Sequence, residues 1–146
     1  MMIQYIMLLA TLVWSGCVVA ISFMESWLKF RASGVTLPIG LSIGKLVFTA
    51  LNKMEWFFAA VLFIAYFFSK TPLLSSSAIL FVIAVCLLLV QTFWLLPALD
   101  ARANMVISGQ SVAASSLHWY FVFAEILKLG SLLVLGFQLF KLFVVR

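Results

Sequence analysis

Charge is what this sequence has least of. Its 146 residues include nine Lys or Arg, four Asp or Glu and one His, so charged side chains make up only 9% of the chain while apolar ones make up 66%. An ordinary soluble domain carries about 25% charged and roughly 45 to 50% apolar residues, so water is not the solvent for such a surface. No Gly/Ser-rich or charge-rich stretch divides the chain, which reads as one domain over residues 1–146.

Other scarcities exclude chemistries. One histidine, His118, does not supply the paired axial ligands of a membrane b-type haem, and no His/Cys spacing suits zinc, so no metal site is expected. The two cysteines, Cys17 and Cys86, fall within apolar runs, where a thiol behaves as a small hydrophobe and says nothing of redox compartment. There is no P-loop and no dinucleotide fingerprint. Ser115 or Ser116 with His118 and Glu125 contains the residue types of a hydrolytic triad, but no nucleophile motif surrounds either serine. The net charge of +5 is spread over single basic residues without a stripe, which argues for membrane-flanking charges and against nucleic acid.

What the chain has in quantity is long apolar runs. A hydrocarbon core of about 30 Å takes roughly 20 apolar residues per helix. Four such spans are expected, at residues 3–24, 46–69, 76–96 and 117–143. The fold expected is therefore all-α, a bundle of four transmembrane helices. The first run has no Lys or Arg before it and exceeds the apolar length of a secretory signal, so it reads as a span. Trp14-Ser15-Gly16-Cys17 departs from a lipoprotein box because Trp14 stands where a small aliphatic residue is needed.

The interruptions order the spans. Glu25, Trp27, Lys29 and Arg31 end the first at one membrane face, here the first face, and Ser33-Gly34 breaks the pattern. Thr36 and Pro38 suit the start of a new helix near residue 37. From there Ile39, Ile43, Leu46, Val47, Ala50, Leu51 and Met54 recur at helical spacing, an amphipathic segment leading into the second span, either along the interface or as part of that span. Gly40 and Gly44 form a small-xxx-small pair, read as close packing within the bundle or as a dimer contact. Lys70-Thr71-Pro72 makes a short turn between antiparallel neighbours. Helix three can continue past Pro97 towards Ile107, with Ser108-Gly109-Gln110-Ser111 as the turn. Trp27, Trp56, Trp94 and Trp119 are then expected at the first face as interfacial anchors. Lys29, Arg31, Lys45, Lys53 and Arg102 near that face, against Lys70, Lys141 and Arg146 at the other, lean the basic-residue count slightly towards a cytoplasmic first face without fixing the orientation.

The acids Glu25, Glu55, Asp100 and Glu125 and the lone His118 all belong to the half nearer the first face. His118, Glu125 and Lys128 share one side of helix four, about 15 Å long. A charge in a membrane helix costs at least about 2.5 to 3.5 kcal/mol unless paired or hydrated, so this stripe should face the interior. The expectation is a polar pocket open to the first face, built from Glu125, Lys128 and His118 with Glu25, Lys53 or Glu55, and Asp100 or Arg102. Glu55, beside Trp56, is alternatively an interface marker, and the charges together alternatively ion pairs that only fix helix register.

Three functional classes fit. A binding or accessory protein holding a lipid or small hydrophobic ligand, or a partner helix, needs only a half-open pocket. A small membrane enzyme would use the Glu125/Lys128/His118 stripe, but its cofactor is not indicated. A transporter would need oligomerisation, because the half nearer the opposite face offers little polarity beyond Gln91. The segments Glu25-Ser26-Trp27-Leu28-Lys29-Phe30-Arg31-Ala32, residues 40–55, and Leu96-Pro97-Ala98-Leu99-Asp100-Ala101-Arg102, with His118 and residues 125–128, resemble a group of small four-helix bacterial membrane proteins. The resemblance implies a four-helix fold and a bacterial inner-membrane home, and carries no reaction. The helix pattern alone is also similar to that of anthrone-oxygenase-like membrane proteins.

Overall fold

The computed structural model describes residues 2–69 and 75–144, and places nearly all of them in four helices. These are α1 (Met2–Arg31), α2 (Leu37–Ser69), α3 (Ser76–Ile107) and α4 (Leu117–Val144). Each is long and apolar enough to cross a membrane. The chain is thus an all-α bundle of four candidate spans, as in a multi-pass membrane protein. The expected turn at Lys70-Thr71-Pro72 lies outside the described residues, as does Arg146.

Helix α2 settles how its amphipathic start relates to its span. It runs unbroken for 33 residues, which at 1.5 Å per residue is about 50 Å. That exceeds the bilayer core, so the segment after Pro38 is the extension of the second span. The four expected anchors take different places along their helices. Trp27 and Trp119 lie near helix ends, but Trp56 is well inside α2, where its indole N–H donates to Thr92 at 3.0 Å, and Trp94 is several turns short of the end of α3.

Each helix packs against its two neighbours in sequence order, with α4 closing the ring on α1. Contacts climb α1 as they descend α2, from Phe30 against Gly40 to Trp14 against Glu55, so these helices are antiparallel. The buried positions of α4, namely Phe121, Ala124, Glu125, Lys128, Leu132, Leu135, Gly136 and Leu139, follow the helical repeat and form a single stripe. Glu125 and Lys128 therefore stand in line with the core. Below them, towards the opposite face, Met7, Ala10, Leu62, Ala65, Phe81, Ala84, Leu132 and Leu135 fill the bundle. The outward sides carry Phe57, Phe63, Phe67, Phe93, Phe123 and Phe137, exposed apolar rings suited to lipid.

Two helices are locally widened. In α1 residues Val19–Glu25 form a π-helical turn, closed where the Ser26 amide donates to Ile21, five residues back. In α3 residues Gln91–Leu95 do the same, with the Leu96 amide donating to Gln91. The second has a local cause. Pro97 lacks an N–H and its ring would press on the Phe93 carbonyl in a regular α-turn, and a wider turn relieves both. Gly34 at φ +82° and Gly109 at φ +79° follow the ends of α1 and α3, where the left-handed conformation suits a residue without Cβ.

Candidate functional site

Midway along the bundle the four helices bring five polar side chains together, two of them from α4. Lys128 of α4 is fully buried, and its ammonium lies 2.5 Å from Glu55 of α2 and 2.9 Å from Glu125 of α4. It also donates to the side-chain carbonyl of Gln91 from α3 at 2.5 Å. A lysine has three N–H donors, and three oxygens take them. The Gln91 amide donates to Glu125 Oε1 at 2.7 Å, and the Trp14 indole of α1 donates to Glu55 Oε1 at 3.0 Å. A hydrogen-bonded, oppositely charged partner is what makes a buried ion tolerable in so apolar a setting.

Above this cluster, towards the first face, the helices separate around a cavity of about 490 Å³. Its size is within the roughly 300 to 1,000 Å³ of small-molecule sites. The walls are apolar, formed by Phe23, Phe48, Leu96, Leu99, Phe121 and Val122. Phe48 and Phe121 meet edge to face at 5.4 Å, joining α2 to α4 across the wall. The rim is charged. Lys29, Lys45, Asp100, Arg102 and His118 line it, while Glu125 and Ser22 line it from deeper positions. Lys29 is held by Glu25 at 3.1 Å and lies 5.6 Å from the centre of the Phe48 ring. Lys45 donates to Asn104, and Arg102 to the Ala113 carbonyl.

The eight residues expected at a pocket thus separate into groups. Asp100, Arg102, His118 and Glu125 line the cavity; Glu25 reaches it through Lys29; Glu55 and Lys128 lie behind its inner end; Lys53 is exposed and does not line it. His118 is itself exposed, with its ring 6.0 Å from that of Trp119. Glu55 is 2% exposed, so reading it as an interface marker beside Trp56 does not hold: adjacent residues on a helix face different ways, and Glu55 turns inward. Gln91, counted with the opposite half, belongs to the charge cluster through Glu125 and Lys128.

Sequence reasoning missed Trp14 and Ser22. Trp14 carried a signal, being the tryptophan far from any expected helix end, with an N–H that requires a partner when buried. Ser115, weighed as a nucleophile, accepts the Leu117 amide at 3.2 Å at the start of α4. Among the described residues no three His, Cys, Asp or Glu side chains are grouped to hold a metal ion. The arrangement can take an apolar body between aromatic walls, meet a charged group at the rim and offer hydrogen bonds at depth. No family model, no curated protein and no solved structure matches this chain.

Proposed function

We propose that this chain is a binding protein of a bacterial inner membrane that holds a small amphiphile, lipid-like or otherwise, in a cavity opening on one membrane face. The supporting observation is the division of the bundle: one half is filled by its apolar core, while the other encloses about 490 Å³ behind a rim of Lys29, Lys45, Arg102, Asp100 and His118. Among these, Lys45 and Arg102 suit an anionic head group, and the rings of Phe23, Phe48 and Phe121 suit an apolar body. Binding serves storage, presentation to a partner protein or accessory action in a larger assembly.

Native mass spectrometry of the protein in lipid nanodiscs tests this reading. The expected result is one small molecule per chain, retained at energies that strip bulk lipid and reduced when Phe121 is replaced by Ala together with Arg102 by Gln. A bare chain carrying only exchangeable lipid would overturn it.

A further inference from the structure

Two residues that line the cavity each carry a buried polar atom without a hydrogen-bond partner. Glu125 is 1% exposed; Oε1 is taken by Lys128 and Gln91, whereas Oε2 is buried and unpartnered. Ser22 Oγ is buried and unpartnered too, and Ser22 lines the same cavity from α1. Buried polar groups in folded chains are nearly always satisfied, and two orphans on one cavity mark where a further molecule would complete the set. Ser22 also falls in the π-helical turn Val19–Glu25, a local widening of the kind often found at functional sites.

We infer that Ser22 Oγ and Glu125 Oε2 form the recognition floor of the cavity and take a hydrogen-bond donor, a hydroxyl or amide N–H, at the buried end of the ligand. This rests on the amphiphile reading above and specifies its ligand class. A carboxylate oxygen accepts, and a serine hydroxyl both accepts and donates, so a ligand hydroxyl satisfies both. The charges behind the floor are two acids, Glu55 and Glu125, against one base, Lys128. An anionic group is therefore repelled from the floor and belongs at the rim with Lys45 and Arg102. His118 at the rim and Glu125 are seven residues apart on α4, which is about 10 Å along the helix. The ligand class is thus an apolar body of medium length with an anionic head and a distal hydroxyl or N–H.

The test compares 10-hydroxydecanoate with decanoate, titrated onto the protein in nanodiscs with empty nanodiscs subtracted. Wild type is expected to bind the hydroxylated probe at least about tenfold more tightly, because the analogue leaves both floor atoms unpaired. Ser22→Ala and Glu125→Gln should erode that preference, read in each variant as the ratio of its affinities for the two probes. Ser22→Ala leaves the charge cluster intact and decides the matter if the Gln variant fails to fold. Equal affinity of wild type for the two probes overturns the floor and leaves the cavity standing. Failure of both probes to bind above the empty-nanodisc level overturns the amphiphile cavity itself.

Discussion

Lys128 presents three donors to three oxygens on three helices, so its removal strands more than its own side chain. Lys128→Met leaves two buried carboxylates facing each other without a counter-ion, and a buried ion pair broken on one side costs about 3 to 5 kcal/mol. The expected outcome is a large loss of stability in an SDS titration followed by circular dichroism. Adding Glu55→Gln and Glu125→Gln to Lys128→Met should recover most of it, since the charges then vanish together; a single variant as stable as wild type would contradict the cluster. The pairing of Glu125 with Lys128 was legible in the sequence because the residues are three apart on one helix. Glu55, Gln91 and Trp14 come from other helices, and their meeting depends on rotations and depths that hydropathy does not encode.

At the scale of the element, α3 shows what a proline does to a span when the rest of the helix must continue. Its π-helical turn holds one residue more than an α-turn would, so deleting a lipid-facing residue there should return the segment to regular geometry with both flanks in register. Phe93, 75% exposed, is such a residue. Deletion of Phe93 together with Pro97→Ala, which removes the need for the wider turn, is expected to preserve helicity and a monodisperse bundle. Deletion of Leu87, in the regular part of α3, should turn Leu88 and Phe81 out of register and abolish folding. Equal damage from both would remove the π-turn from the account. Continuation past Pro97 was readable, but the turn that permits it was not, because a π-turn has no residue signature.

The small-xxx-small pair belongs to the same scale. A methyl group on Gly40 would overlap the Phe30 ring, and one on Gly44 would stand 3.1 Å from the Lys29 ammonium, so both glycines admit the end of α1 within the chain. Gly40→Ala should therefore displace the ring of Phe30, which also lines the cavity and is 39% exposed, at a cost below the roughly 1 to 3 kcal/mol of overpacking a closed core. The check is thermal unfolding beside the oligomeric state in nanodiscs. A change in subunit number without loss of stability would assign the pair to a dimer contact instead.

For the whole molecule, one end of the bundle holds the cavity and most of the basic residues, so its orientation decides which compartment would supply the proposed ligand. Lys29, Arg31, Lys45, Lys53 and Arg102 lie towards that end, and basic residues near span ends are retained on the cytoplasmic side. The rule counts Lys and Arg and discounts acids, so the pairing of Lys29 with Glu25 does not weaken it. With Cys17 and Cys86 replaced by Ala, Ser116→Cys at the cavity end and Ser76→Cys at the other provide one reporter each. Intact cells treated with a membrane-impermeant maleimide should label Ser76→Cys and spare Ser116→Cys until the membrane is permeabilised. The reverse pattern would put the rim outside the cytoplasm, and the proposed amphiphile would then have to arrive from the external leaflet, against the direction in which the basic residues point.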